Sequence, residues 1–417
     1  MHAALSGSGG RVAILFAAMF TAIGVMLPFW PAWLEDRGLL AVEIGIIMAA
    51  CQWGKVLVHP TVGAWVDRHQ HRRATLIGLA VASWLGFAAM MPLSGFWPLL
   101  LISLPASACM AAMMPLSETV ALSVARAKGA EYGRMRLWGS LTFMLAAVGT
   151  GAALDVWPVA VVFPAAIVVT LAVTVWAAIR LPGDEAAPPP PTRRENGPRQ
   201  GLGRLLGDGR FLLFIGCAGF AQASHAPYYG FSTLHWRAAG LSETTIGLLW
   251  ALGVLVEIGL FAIGARMLAR MGAMGLLLSA GVGGLLRWTV LALTTHPAAL
   301  FAVQGLHALT FAAAHLGAMH FIAQAIPASH AVRAQGLYSA LSMGALLGLA
   351  MLISGWLYAG VGGLAFLLAT GLSLASLGLG AILVGRWRGG PLWETETGET
   401  KTGETKTRSG DMAVARR

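Results

Sequence analysis

The sequence predicts an all-α membrane protein with twelve transmembrane helices in two pseudo-symmetric six-helix bundles. Three observations lead there. The 417 residues are 57% hydrophobic and 11% charged, with a mean hydropathy of +0.71, whereas a soluble chain of this length needs far more charge to cover its surface. Twelve apolar stretches can be marked, at about 12–34, 43–64, 74–93, 97–124, 136–154, 157–179, 211–234, 244–265, 273–294, 297–325, 334–358 and 361–384. Each approaches the ~20 residues that span a hydrocarbon core, and each must be helical because backbone polar groups find no water in lipid. Finally, GLLAVEIG at Gly38–Gly45 reappears in the same direction as GLSETTIG at Gly240–Gly247, and 240 − 38 is 202 residues. A parallel repeat of that length predicts a duplicated bundle with any binding site at the seam.

In chain order, the first stretch exceeds 20 residues and lacks a small-residue cleavage site, so it is predicted to stay as an anchor. It carries Leu27-Pro-Phe-Trp-Pro31, a candidate kink. The second stretch holds Lys55 and runs into the loop GAWVDRHQHRR, Gly63–Arg73. Glu118 lies in the fourth stretch, and Arg134 and Arg136 open the fifth. Only Asp155 to Pro158 separates the fifth from the sixth. Prolines 188–191 then break the apolar pattern and predict a linker. The seventh stretch contains His225-Ala-Pro-Tyr-Tyr-Gly230, a second candidate kink. Glu257 falls in the eighth stretch, Arg287 in the ninth, and His307, His315 and His320 in the tenth. The end of the chain repeats TGETK without an apolar face and is predicted to be disordered. The expected divisions are thus a first bundle at 1–180, a cytoplasmic linker at 181–210, a second bundle at 211–385 and a tail at 386–417.

Basic residues set the orientation. Alternate loops carry Arg68, Arg72 and Arg73, then Arg126 and Lys128, Arg193 to Arg210, Arg266 and Arg270, and Arg333, while the opposite loops hold only Arg37 and Arg237. Both termini are therefore expected in the cytoplasm. The net charge of +10 follows from this topology and from attraction to anionic headgroups, and basic residues so scattered give no support to a nucleic-acid partner. Cys51, Cys109 and Cys217 lie inside predicted helices without metal-ligand spacing. No metal or cofactor is expected, apart from a proton as coupling ion, and no catalytic residue.

Charges at bilayer depth cost roughly 2.5–3.5 kcal/mol each unless they face protein, water or a partner. Lys55, Glu118, Arg136, Glu257 and Arg287 are therefore the first candidates for function. Glu118 and Arg136 each lie nine residues from Ala127, so an antiparallel hairpin brings them to one depth, where they can pair. His307 and His315 are eight residues apart, about 80° around a helix, and can border one cavity. Imidazole titrates near neutral pH, which suits proton coupling. The 202-residue offset sets Lys55 on Glu257 and Glu118 on His320. In the loop after the second stretch, Gly63, Asp67 and Arg68 are gating candidates, since a carboxylate favours a helix N-terminus and an arginine can pair across the inner face. Its counterpart, GARMLARMG at Gly264–Gly272, keeps Arg270 but has Ala269 where Asp67 stood.

That loop resembles the Gly-x3-Asp-Arg/Lys-x-Gly-x-Arg/Lys-Arg/Lys motif of the major facilitator superfamily, with Gln70 in place of the second glycine. More narrowly, LPFWPAWL (Leu27–Leu34), YGRMRLWGS (Tyr132–Ser140), HAPYYGFS (His225–Ser232), GLLRW (Gly284–Trp288) and LHALTFAAAHLGAM (Leu306–Met319) resemble the 3-phenylpropionate permease family, related to lactose permease and the nucleoside symporters. The resemblance spans about residues 11–385. It implies a carrier of the bacterial inner membrane, not an enzyme, working by symport. The charge plan is similar to that of lactose permease, which implies substrate contact by Glu118, Arg136 and Glu257, with Arg287 and His315 on the proton side. A departure is that His315 is followed by Ala318 and Met319 rather than by a carboxylate one turn on. That leaves Glu257, His315 and Glu118 open as proton carriers.

The resulting expectation is a monomeric, proton-coupled importer of a small organic acid, such as an aromatic carboxylate, working by alternating access in the lipid bilayer. Lys55, Arg136, Glu257, Tyr228 and Tyr229 are expected around the solute, and Glu118, Glu257, Arg287, His307 and His315 in proton coupling. Arg136, Lys55 and Arg287 outnumber Glu118 and Glu257, so a carboxylate would balance the site. The alternatives are a symporter of a neutral sugar or nucleoside and an efflux antiporter. An intramembrane enzyme or a sensor finds no motif to support it.

Overall fold

A computed structural model describes residues 7–183 and 198–393. The prolines at 188–191 and the repeat from Glu394 onward lie outside the described residues. Among the described residues every regular element is helical, and nine helical runs are long and apolar enough to cross a membrane. The protein is a multi-pass membrane protein.

The first half of the chain supplies α1 (Ser8–Asp36), α2 (Ala41–His69), α3 (Arg72–Met90), α4 (Phe96–Lys128), α5 (Tyr132–Leu154) and α6 (Val159–Ile179). α1 to α5 each extend the corresponding apolar stretch by a few residues at one or both ends, whereas α6 begins inside its own and ends with it. The short separator at Asp155–Pro158 does divide α5 from α6. α1 runs as one helix through the candidate kink, with Pro28 and Pro31 inside it. Phe29 and Trp30 between these prolines and Trp33 beyond them are buried.

The second half is less regular. It comprises α7 (Pro198–Gly207), α8 (Gly209–Ala223), α9 (Ala226–Ala238), α10 (Glu243–Leu293), α11 (Pro297–Gln304), α12 (Ala314–Ala325), α13 (Ala331–Tyr338), α14 (Leu347–Val361) and α15 (Leu367–Arg386). The expected break before Pro227 separates α8 from α9. At 51 residues, a straight α10 would be about 77 Å long, more than twice the ~30 Å hydrocarbon core. It turns at Gly272, whose φ of 66° and ψ of 177° only glycine adopts without strain. Two π-helical segments, Ala308–Ala313 and Ser339–Leu346, link α11 to α12 and α13 to α14. Such widened turns gather at functional positions.

The apolar core is divided unevenly along the membrane normal. Toward Asp155 a single cluster joins both halves, including Phe29, Trp33 and Phe163 from the first and Trp250, Trp288 and Met351 from the second. Toward Asp67 it splits. One cluster there holds Leu15, Phe16 and Val66, and a separate one holds Phe214, Phe321 and Trp387.

Glycines of the internal repeat make the joined end possible. A Cβ on Gly45 would come within 2.9 Å of the Gly355 Cα on α14, and one on Gly247 would collide with the Ala147 carbonyl of α5. The equivalent glycines of the two repeats thus sit where each half presses its backbone against the other.

Asp155, in the loop after α5, adds a polar latch at the same end. Its carboxylate accepts hydrogen bonds from the amides of Glu243 (2.7 Å) and Thr244 (3.1 Å) and from the Thr244 hydroxyl, so a residue of the first half caps the start of α10 in the second. Slight burial pushes the Asp155 carboxyl up, but these hydrogen bonds outweigh it and hold the group below the usual carboxylate range. Arg237 pairs with Glu243 beside it. A lowered pKa means the latch is intact at neutral pH and is lost only as pH falls through that lowered value, below ~3.9. Asp155→Ala should therefore open this end more readily at neutral pH. Modification of a cysteine placed at Val159 should be faster by up to about fivefold, the equivalent of one helix cap. An unchanged rate would mean the cap does not hold the halves together.

Candidate functional site

Of the charges expected at bilayer depth, Glu118, Arg136, Glu257 and Arg287 come within reach of one another, whereas Lys55 contacts none of them. From the first half, Arg136 Nε lies 3.6 Å from Glu118 Oε1, the pairing expected of an α4–α5 hairpin, with both side chains partly exposed (30% and 38%). The Arg136 guanidinium also lies over the Phe20 ring of α1, 4.0 Å from its centroid. Lys55 on α2 donates to Gln52 Oε1 one turn earlier.

From the second half comes a chain of buried polar groups. Arg287 of α10 is wholly enclosed. It donates to Gln304 Oε1 (2.7 Å), to His307 Nδ1 (2.6 Å) and to Thr310 Oγ1 (2.9 Å). Its guanidinium lies 4.3 Å from the Trp288 ring and 4.7 Å from that of Tyr228. An arginine can only donate, so His307 Nδ1 must be its acceptor and the ring proton must sit on Nε2. That Nε2 lies 2.6 Å from Glu257 Oε1, to which it donates. A neutral imidazole therefore connects a buried cation to a carboxylate that is itself only 17% exposed. Glu257 is also within electrostatic reach of Arg136 and His315, and His315 of Glu118, so the groups of the two halves face one another.

Of the residues expected in proton coupling, the structure brings Glu257, His307 and Arg287 into direct contact. His315 stands apart from that chain, its ring 6.4 Å from Tyr338. The π-helical segment between the two histidines widens the turn, so the 80° separation expected of a plain α-helix does not apply. His320 turns back on the Leu316 carbonyl (3.0 Å). Tyr229 is partly exposed, whereas Tyr228 is enclosed and accepts a hydrogen bond from Gln304 Nε2 (3.1 Å). Trp236 is fully buried.

Gly63, Asp67 and Arg68 are exposed at the end of α2, and among the described residues neither charged group forms an ion pair. Gln70, in the place of the motif's second glycine, takes the left-handed conformation a glycine would take, with φ 56° and ψ 16°. Its side-chain amide offsets that strain by donating to the Asp67 carbonyl (2.6 Å).

Gln304, Thr310 and His225 were not selected from the sequence. His225 sits at the α8–α9 break, with Nε2 3.2 Å from Thr310 Oγ1 and its ring stacked on Tyr229. Gln304, His307 and Thr310 are spaced i, i+3, i+6, a polar stripe in an apolar stretch that could have been found by periodicity.

The arrangement offers two charge pairs facing one space, one of them relayed through a histidine. The sequence matches the family described as MFS_1 like over residues 11–369. The chain belongs to that family. This MFS_1-like protein is 29% identical over 347 residues to a probable 3-phenylpropionic acid transporter of Escherichia coli strain K12, covering 83% of this chain and 90% of that one. It is 28% identical to a maltose permease of Geobacillus stearothermophilus, over 66% of this chain and 68% of the permease. Among solved structures it resembles the nucleoside transporter NupG, with a TM-score of 0.77, 14% identity and coverage of 92% and 99% of the two chains. That likeness shows a shared fold. This MFS_1-like protein is a membrane transporter of the major facilitator type and not an enzyme.

Proposed function

We propose that the protein imports a small organic anion together with a proton, by alternating access between two six-helix bundles. Counting the two interrupted runs Glu243–Leu293 and Ala331–Arg386 twice, and adding the broken pair α8–α9, nine runs become twelve crossings. The positive-inside asymmetry assigns the Asp67 end to the cytoplasm, with both termini there and the bacterial inner membrane as the location. On that assignment the joined core and the Asp155 latch close the outer side, and the divided core leaves the inner side apart. This is an inward-facing arrangement of a monomer.

The chain Arg287–His307–Glu257 carries the coupling. When Glu257 is ionised it offsets Arg287 through the neutral imidazole. Protonating it leaves Arg287 uncompensated, which favours an anion in the adjoining space. In the first half, Glu118 offsets Arg136 and leaves Lys55 as the excess cation. A solute carboxylate would take the charge of Lys55 and a nitrogen of Arg136, with an aromatic body between Phe20 and Tyr229. Glu118 and His315 would redistribute charge as Arg136 turns from its own carboxylate toward that of the solute. Tyr228 would act from behind, as a support for Arg287 and Gln304. No cofactor enters this scheme besides the proton.

The relative named for 3-phenylpropionic acid supports the anionic reading, and the maltose permease relative keeps a neutral sugar as its rival. Proteoliposomes given radiolabelled 3-phenylpropionate, maltose and uridine under an inward proton gradient distinguish them. Accumulation of the acid alone, in excess of that in protein-free vesicles, is expected. Accumulation of maltose or uridine without the acid would exclude the anion.

A further inference from the structure

A cavity of about 490 Å³ opens at the Asp67 end of the first half, away from the central charges. Arg11 at the start of α1, Arg73 at the start of α3 and Arg180 just after α6 surround it, with Ile14, Trp176 and Ile179 as its apolar wall. Local physics explains why three cations gather here. The last carbonyls of α6 have no helical partner and carry the negative end of its dipole. Arg73 Nη2 donates to the Ile179 carbonyl (2.6 Å), and Arg11 Nη1 reaches the Arg180 carbonyl (3.4 Å). The Arg180 guanidinium lies 5.0 Å from the centroid of the Trp176 ring. Among the described residues neither Arg11 nor Arg180 forms an ion pair with a carboxylate.

We propose that this cavity seats the phosphate headgroup of an anionic phospholipid. Guanidinium groups match phosphate oxygens in geometry and charge, and basic pockets between helix ends on the positive side of a membrane protein are where such headgroups settle. The wall selects a lipid over a free anion. Trp176 and Ile179 stand 46% and 48% exposed on the outside of α6, where acyl chains pass and where a tryptophan marks the interface. A soluble phosphate ester would gain nothing from that apolar face. The choice of inner leaflet rests on the topology proposed above, whereas the binding itself does not.

The test uses the full-length protein purified in dodecyl maltoside, with native mass spectrometry and the thermal unfolding midpoint as readouts. Added dioleoylphosphatidylglycerol should leave a retained lipid adduct and raise the midpoint. Dioleoylphosphatidylcholine and inorganic phosphate at equal ionic strength should do neither. The double variant Arg11→Gln, Arg180→Gln should lose the adduct and most of the shift, while Arg266→Gln, Arg386→Gln, with the same charge removed elsewhere, should keep both. If the first double variant does not fold, Arg11→Gln alone, at an exposed position, should still weaken adduct retention. An equal response to phosphatidylcholine, a full shift with inorganic phosphate, or wild-type retention by the Arg11 and Arg180 variant would each overturn the site. None of these residues belongs to the central charge cluster, and detergent abolishes sidedness. A failure here is therefore separate from a failure of the transport reading or of the topology.

Discussion

Arg287→Ala is expected to destabilise the protein by roughly 3–5 kcal/mol, the scale on which removing one partner strands the rest of a buried ionic network. Three acceptors between the end of α11 and the π-helical segment after it, Gln304, His307 and Thr310, would lose their shared donor at once. Glu257 would be left as a carboxylate with no buried cation behind it. Arg287→Lys should recover little, because one ammonium cannot reach acceptors spread over a planar fork. Arg136→Ala provides the contrast. Its side chain is partly open and its Glu118 contact is a loose 3.6 Å, so the unfolding midpoint should barely move while binding of a carboxylate solute is lost. Unfolding midpoints and ligand binding in detergent, compared across the two variants, check both statements. Equal stability loss at the two positions would mean that Arg287 is not a structural centre of the site.

The second large effect is expected at Glu257→Gln. A glutamine oxygen still accepts from His307 Nε2, so the local geometry survives, but the position can no longer gain or lose a proton. Gradient-driven accumulation should fall by up to about 150-fold, the upper range of a coupling free energy. Exchange of labelled for unlabelled solute across the membrane, which needs no net proton movement, should persist. Accumulation at the wild-type level would remove Glu257 from the coupling scheme and turn attention to His315 or Glu118.

Much of this architecture was legible in the residues because lipid leaves the chain few choices. Apolar length fixes helices, and the helices found extend the twelve apolar stretches by only a few residues at most ends. The pairing of Glu118 with Arg136 followed from equal distances to Ala127, since a hairpin must bring such positions to one depth. The repeat pointed to Gly45 and Gly247 as equivalents, and both proved to be close-approach points between the halves. What was not legible depended on packing. Pro28 and Pro31 looked like a break, yet both lie inside one continuous helix beside buried aromatics. His307 and His315 were equal candidates by spacing, and only the packed helices show that His307 is the imidazole that meets Glu257. Gln304 and Thr310 carry no formal charge, so a search for ions in lipid passed them by although they hold Arg287 in place.

Proton movement driven by the solute is the most direct test of the central claim. With lightly buffered proteoliposomes and a pH electrode outside, adding 3-phenylpropionate should alkalinise the medium as acid and proton enter together. The neutral acid also crosses lipid unaided, so the signal that counts is the excess over vesicles containing Glu257→Gln. A clear excess for the wild type is the predicted result. Solute exchange by the wild type with no excess proton uptake would contradict the account.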